Sequence, residues 1–421
     1  MKFRGILYIV TLCLLQSCIV TKGIRYGNAS VDDYSIFEQD SVINGAHTFR
    51  FAEQQHGSAF VDTLQFEIYR TKVDTLLNLT LRQTMDYIDV PAAAIVIHND
   101  EIIFEHYSDG WNRDSQSCIF SVTKTITSLL CGIAHKDGYI KSLSDPVTDY
   151  IPELKDADPM FTQLRIEHLL DMTAGLDFDE NYSWNPFSKM AKLYMGNNSL
   201  KVLKSLRFIN IPGENFSYDS ATTAILGLVV ERATGKPYAD YLSEKVWQPL
   251  GMERSALIGL DSQKHHVAKS FAGLTTNVRD LAKVGRLFLN NGCHDGEQIV
   301  DAAFVRRCLS THTSGKEMGR YSYSWYWGVE DEENGKRKFF DTLEELEQYY
   351  KSHPEKSVHQ IMKNIDKGYF AVLHNGGYWG FGLYGQVLYV NPSKNMVAVY
   401  LGADRLKDFS ILFDQLSHYL P

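Results

Sequence analysis

Ser121-Val122-Thr123-Lys124 is the one place in this 421-residue chain where a lysine stands three residues after a serine. A hydroxyl is a poor nucleophile until a base takes its proton, and residues three apart on a helix share a face, so the tetrad can set a base beside a nucleophile. Apolar residues at Val122, Ile126, Leu129, Leu130 and Ile133 predict a helix over Ser121–Lys136, with Gly138 as its stop. Ser121 would then sit at the helix start, where unpaired N–H groups and the positive end of the dipole favour developing negative charge. A free lysine is neutral in roughly one molecule in a few thousand at pH 7, so Lys124 can act as a base only if burial depresses its pKa. Taken alone, the tetrad fits equally a serine at a helix start followed by a solvated lysine.

A second reactive group is Tyr218, in Tyr218-Asp219-Ser220, just before a helix predicted over Ala221–Thr234 and ended by Gly235. A phenol near a lysine ammonium is expected to have its pKa lowered and to pass a proton to a leaving group. Tyr26-Gly27-Asn28 and Tyr350-Lys351-Ser352 share the same short pattern, so the motif gains meaning only from its neighbours.

Those neighbours come in a definite order. Phe120-Ser121-Val122-Thr123-Lys124 is followed by Gly138-Tyr139-Ile140, Asp145-Pro146-Val147, His168 to Leu176, Pro212-Gly213, Tyr218-Asp219-Ser220, Gly273-Leu274 and Arg279-Asp280-Leu281-Ala282. This series resembles the β-lactamase-related serine hydrolases of the penicillin-recognising superfamily, particularly the 6-aminohexanoate-dimer hydrolases, from about residue 73 to the end. The resemblance implies Ser121 as nucleophile with Lys124 and Tyr218 as proton-handling partners, Ser220 as the last member of the tyrosine motif, and no cofactor. It offers two registers for a third motif. Penicillin-binding members carry Lys-Thr-Gly or His-x-Gly on a strand, which points to His374-Asn375-Gly376. The amide-dimer hydrolases carry a glycine, then a residue whose backbone N–H completes an oxyanion hole, then Gly-Gln. Gly380-Phe381-Gly382-Leu383-Tyr384-Gly385-Gln386 follows that run and favours Gly382 and the Leu383 N–H, leaving Asn375-Gly376 as a hairpin turn. In either register two backbone donors face a carbonyl oxygen as it becomes anionic, and losing one typically costs on the order of a hundredfold in rate. Tyr182 matches a tyrosine that caps bound substrate in the amide-dimer hydrolases and fits equally an exposed loop aromatic. Glu167, in Glu-x-x-Leu-Asp, is similar to the deacylating glutamate of one β-lactamase class, although His168 to Leu176 fits the esterase-like branch better.

The elements that must hold these groups follow from periodicity. Leu76, Leu77, Leu81 and Met85 predict a helix over Val73–Tyr87, and Ala92–His98 and Glu101–Tyr107 predict a hairpin through Asn99-Asp100. Further helices are expected over Pro237–Leu250 and Val278–Leu289. Strands return at Tyr321–Val329, Tyr369–His374, Tyr378–Leu383, Gln386–Val390 and Met396–Leu401, with a closing helix over about Leu406–Leu420. Trp325, Trp327, Trp379 and Phe381 fall on these strands, along a cleft or in the core. The fold class expected is α/β in the α+β sense: an antiparallel sheet flanked by N- and C-terminal helices with an inserted all-helical lobe, as the resemblance to the β-lactamase/transpeptidase fold also implies. The divisions expected are a signal peptide over 1–17, a tether and extension over 18–72, and a catalytic domain over 73–421, with the helical lobe at about 113–290 and an insertion at about 331–368.

At the start, Lys2 and Arg4 precede the apolar run Ile6–Leu15 and then Leu15-Gln16-Ser17-Cys18. The run is shorter than the roughly twenty residues that span a bilayer and has the dimensions of an export signal. Leu-x-Ser-Cys resembles the bacterial lipobox, which implies acylation of Cys18 and a tether to a membrane face; an ordinary secretory signal is the alternative. The formal charge is −9 and 44% of residues are hydrophobic, which suits a globular domain and disfavours a nucleic-acid surface. Cys118, Cys131, Cys293 and Cys308 show no metal-type spacing and are expected to be free or to form at most one bridge. The expected partner is a small-molecule or peptide amide or ester, with the oligomeric state open. Three functions compete: an amidase or esterase, a D,D-peptidase or β-lactamase, and a non-catalytic binding lipoprotein.

Overall fold

The computed structural model describes residues 19–26, 28–53, 60–70, 75–88, 90–108, 110–182, 185, 187–312, 320–333, 336–364, 366–403 and 409–421. The signal-type segment, Cys18, and the expected starts of the helices at Val73 and Leu406 lie outside them. The chain forms two compact units, each built from separated stretches.

The first unit takes the described residues up to His47 together with Ser117–Thr276. Its helix Val122–Lys136, with Ser121 at its N-terminal cap, is buried from Val122 to Ala134. So complete a burial brings polar side chains inside, and they find partners: the Thr127 hydroxyl donates to the Ser270 carbonyl at 2.6 Å, and Thr123 accepts from the Leu274 N–H at 3.2 Å. Beside it runs Ser220–Thr234, capped by Asp219, whose carboxylate accepts from the Thr222 N–H at 2.6 Å, and ended by left-handed Gly235. Pro237 starts the next helix as expected, but the α-helix ends at Leu242 and a π-turn follows over Ser243–Trp247. A four-stranded sheet in the order Gln39–Val42, Ala256–Gly259, Leu274–Thr276, Ser117–Cys118 completes the unit. The segment 18–72 thus supplies a paired strand, with Gln39 opposite Gly259.

The second unit comprises Thr48–Gln116, Asn277–Thr313 and Arg320–Pro421. Ala92–His98 and Glu101–Ser108 pair through left-handed Asn99 and Asp100, and Ala92 lies opposite Gly402 on Met396–Gly402. Ala92, Ala94 and Val96 face a core shared with Leu81, Met85 and Ile88 of one helix and Phe409, Leu412 and Phe413 of another. Helix Val278–Leu289 packs on the same strands, so close to Met396–Gly402 that a Cβ on Gly285 would meet Val397 Cγ1 at 2.5 Å. Both faces of the strand are covered, which accounts for the unbroken apolar run Ala92–Ile97. Trp325, Trp327 and Trp379 are buried and Phe381 is half-buried. The expected insertion is folded: helix Leu343–Ser352 opens with a Thr342/Glu345 capping box, and Val358–Asn364 pairs with Gly368–Phe381.

Two expectations are corrected here. The helix expected over Val73–Tyr87 is a strand, Thr75–Leu79, paired with Phe66–Arg70, followed by the helix Leu81–Ile88. Thr80 and Gln83 cap one another's N–H groups, so the helix begins there and Leu77 pairs with Ile68 across the ladder. Asn375-Gly376 is not a hairpin turn. It lies inside one 14-residue strand, Gly368–Phe381, where the pairing with Trp325–Glu330 slips between Trp327 and Val329. Gly376 takes φ +83, and Asn375 donates to Asp414 at 2.8 Å, so the pair makes a bulge anchored to the closing helix. Cys118, Cys131, Cys293 and Cys308 form no disulfide.

Candidate active site

Backbone strain marks the residue just before Ser121. Phe120 has φ +45, in the left-handed region that a bulky side chain seldom occupies, and Ser121 follows at the start of its helix. One turn on, the Lys124 ammonium donates to Ser121 Oγ at 2.9 Å, Ser220 Oγ at 3.1 Å and the Phe271 carbonyl at 3.0 Å. Its side chain is 1% exposed. The Phe271 carbonyl is delivered by a tight turn in which the Gly273 and Ala272 N–H groups both donate to the Lys269 carbonyl, while the Lys269 N–H donates to the Gly259 carbonyl.

Burial brings the Lys124 amine down to about 8, against the opposing pull of the Glu180 and Asp219 carboxylates. Asp219, buried behind Tyr218, is itself pushed up to about 7 by desolvation despite its two bonds from Thr222. Tyr218 lies with its ring 4.9 Å from the ammonium and its hydroxyl within hydrogen-bonding reach of Ser121. Its phenol is raised above the ordinary range, by burial first and the Glu180 carboxylate second. That direction is opposite to the lowering expected from a nearby ammonium, because burial of the phenol outweighs the ammonium and the Glu180 carboxylate adds to the rise.

Ser121, Lys124, Tyr218 and Ser220 therefore meet, and Tyr182 joins them: its hydroxyl reaches Ser121 and donates to Glu180 Oε1 at 2.6 Å, while its ring is half exposed. Glu180 is the residue missed from the sequence. It accepts from the Ser220 N–H at 2.7 Å and from the Ser220 hydroxyl at 2.6 Å. Its strand-like segment is fixed by the Asp177 N–H donating to the Arg207 carbonyl at 2.7 Å and by Gly175, where any Cβ would strike the Asn210 carbonyl. The one signal available was its place two residues before Tyr182. Glu167 is occupied elsewhere, accepting from Ser144 at 3.2 Å and pairing with Arg165.

The third-motif residues belong to the second unit. His374 is ringed edge-on by Trp327, His359 and Tyr378, and burial with His359 brings its imidazole down to about 4, so it is neutral at pH 7. Gly382 is extended, and its N–H donates to the Gln386 carbonyl at 2.8 Å. Leu383 opens a single 3-10 turn through left-handed Tyr384. The Gln386 amide staples that turn to the last strand, donating to the Leu383 and Gly402 carbonyls and accepting from the Gly402 N–H. This gives the Gly-Gln pair a structural reason.

A buried amine against a hydroxyl, with a phenol in reach of that hydroxyl and its ring beside the amine, can carry out acyl transfer. A family model described as Beta-lactamase matches residues 78–409. The 6-aminohexanoate-dimer hydrolase of Paenarthrobacter ureafaciens is 29% identical over 255 residues, covering 56% of this chain and 63% of that protein. Esterase EstB of Burkholderia gladioli is 30% identical over 196 residues, covering 42% and 50%. The match thus spans less than two thirds of either relative. A solved Bacillus anthracis structure, provisionally described as a 6-aminohexanoate-dimer hydrolase, superposes with a TM-score of 0.70 at 20% identity over 93% of both chains. With its antiparallel sheet, its helices on both faces and its Ser-x-x-Lys helix, the chain belongs to the β-lactamase family, within the penicillin-recognising serine hydrolase superfamily.

Proposed function

We propose that this protein is a serine hydrolase that cleaves an amide or ester through an acyl-enzyme on Ser121, in the manner of the 6-aminohexanoate-dimer hydrolases. The observation that carries the reading is the Lys124 amine, 2.9 Å from the Ser121 hydroxyl and shut away from water. With its pKa brought down to about 8, about one molecule in ten holds it neutral at pH 7, roughly two hundred times the fraction of a free lysine. The neutral amine takes the Ser121 proton as Oγ bonds to the carbonyl carbon. The C=O π pair moves onto oxygen, stabilised by backbone N–H donors, that of Ser121 at the helix start among them. Tyr218, held as a neutral phenol, gives its proton to the departing nitrogen or oxygen and recovers one from Lys124, so the C–N or C–O bond breaks with no net charge left behind. Water, deprotonated along the same relay, then releases the acid and restores Ser121. Tyr182, half exposed beside Ser121, covers the substrate.

The test is mass spectrometry of purified protein after treatment with a fluorophosphonate and with a labelled penicillin, beside turnover of short esters, ω-amino amides, nitrocefin and D-Ala-D-Ala peptides. A fluorophosphonate adduct on Ser121, absent in Ser121→Ala, with ester or amide turnover is the expected result. A stable penicillin adduct would favour the peptidase or β-lactamase reading, and no adduct with either reagent the binding reading. We further propose that the protein is exported and acylated at Cys18. Expressed in a bacterium it should fractionate with membranes, and Cys18→Ala should move it to the soluble fraction.

A further inference from the structure

A neutral lysine amine has two N–H donors and one lone pair, and it acts as a base toward Ser121 only if that lone pair is free to accept from Ser121 and from nothing else. Three groups touch the nitrogen: Ser121 Oγ, Ser220 Oγ and the Phe271 carbonyl. The carbonyl can only accept. Ser220 could do either, since a hydroxyl carries one proton and two acceptor lone pairs. Its proton is committed to Glu180 Oε1 at 2.6 Å, a short bond of the charge-assisted kind, and the other carboxylate oxygen is held by the Ser220 N–H at 2.7 Å. The Tyr182 hydroxyl also donates to Oε1 at 2.6 Å and fixes the carboxylate from its far side.

We propose that Glu180 is a positioning residue of this site: by taking the Ser220 proton it makes Ser220 an acceptor only, so that the Lys124 lone pair is left to Ser121 alone. With Glu180 in place, both amine protons have acceptors in Ser220 and Phe271, and of the three groups hydrogen-bonded to the nitrogen Ser121 is the one able to donate. Without the carboxylate, the Ser220 hydroxyl is free to rotate and give its proton to Lys124, which blocks the base. The charged and titratable groups facing Lys124 are Glu180, Asp219 and Tyr218, so removing the Glu180 charge also withdraws one of the two carboxylates that hold its proton on. The inference rests on the hydrolase reading, since it concerns the direction of proton flow toward Ser121.

The experiment compares Glu180→Gln, Ser220→Ala and the double variant. Two readouts are used: the rate of fluorophosphonate labelling at Ser121 as a function of pH, and the titration of Lys124 followed through 13Cε-lysine NMR. Glu180→Gln is expected to lower the labelling rate about a hundredfold at the pH optimum and to move the Lys124 midpoint down by about one pH unit. Ser220→Ala is expected to cost less, and the double variant to label faster than Glu180→Gln, because the hydroxyl that blocks the base is gone. Losses that multiply in the double variant, with an unmoved Lys124 midpoint, would overturn the proposal and leave Glu180 a merely structural carboxylate. Absence of labelling in the wild type would instead overturn the hydrolase reading, and the NMR midpoints would still decide whether Glu180 governs Lys124.

Discussion

An amine pressed against a hydroxyl becomes a base only where water cannot keep it protonated, and Lys124 meets that condition by being almost wholly enclosed. The sign of the pH dependence follows. In the proposed mechanism Lys124 must be neutral for attack; with burial bringing the amine down to about 8, the neutral fraction rises tenfold per pH unit below that value and levels above it. Stopped assays of kcat/KM with a short ester between pH 5.5 and 9.5 should therefore show an acid limb of unit slope with a midpoint near 8. Lys124→Met should lower kcat/KM by 10²- to 10⁴-fold, the usual worth of a positioned base, and Lys124→Arg by as much, since a guanidinium does not give up its proton. A flat profile through pH 8 in the wild type would mean that another group takes the Ser121 proton. At this scale the sequence was informative for Ser121, Lys124 and Ser220, because a three-residue spacing on a helix and a turn before a helix are local facts. It was silent on Glu180, which reaches Ser220 across forty residues from a segment with no periodicity. The direction of the Tyr218 shift was not legible either, because it is set first by burial of the phenol and only then by Glu180, neither of which a local motif displays.

Elements hold these groups through close approaches that a side-chain pattern does not display. In Ser220–Thr234, a Cβ on Gly227 would lie 2.1 Å from Ser270 Oγ, in the turn that delivers the Phe271 carbonyl to Lys124. Gly227→Ala should therefore gain a little helix propensity and lose more by overpacking, about 1–3 kcal/mol net. The thermal midpoint should drop by several degrees, and kcat/KM should fall more than the loss of folded protein explains, because the carbonyl that accepts from the amine is displaced. A variant as stable and active as the wild type would show that the turn yields freely. Long amphipathic stretches were legible: Val278–Leu289 and the Ala92–Ser108 hairpin fall where apolar spacing and the Asn99-Asp100 turn put them. Short or unusual elements were not. Leu76-Leu77 continues a helical spacing into Leu81 and Met85, yet the Thr80/Gln83 capping box starts the helix later and leaves the leucines to a strand. Asn375-Gly376 carries the local chemistry of a hairpin turn, but Gly376 at positive φ serves equally for a bulge, and the bond from Asn375 to Asp414 selects it.

At the scale of the whole chain, the antiparallel sheet joins strands three hundred residues apart, Ala92–His98 beside Met396–Gly402, as strands at both ends and helices between suggest. The role of residues before 73 was not legible, because Gln39–Val42 is a short polar strand whose partner, Ala256–Gly259, lies two hundred residues away. That N-terminal stretch also meets a second buried amine. Lys269 is fully buried, donates to the Tyr194 carbonyl at 2.7 Å and lies 4.5 Å from the centre of the Phe37 ring. Burial, then Lys22, bring it down to about 7, with Asp261 pulling the other way. Between about 7 and the unfolded value of 10.5, the unfolded chain binds a proton that the folded chain does not, so stability rises with pH across this window, and its loss on acidification is complete once pH falls below about 7. Lys124 adds the same sign from about 8 upward. Urea unfolding at pH 7 and pH 9.5 should show the wild type more stable at the higher pH, by an amount on the order of a few kcal/mol. In Lys269→Met the gain between the two pH values should shrink, and stability at pH 7 should be kept or raised, since an apolar chain of similar volume replaces an amine held with one hydrogen bond in the core. If Lys269→Met instead kept the full pH gain and lost stability at both values, the buried amine would be contributing through its bond to Tyr194 and its packing on Phe37, and the proton linkage would have to come from Lys124 alone.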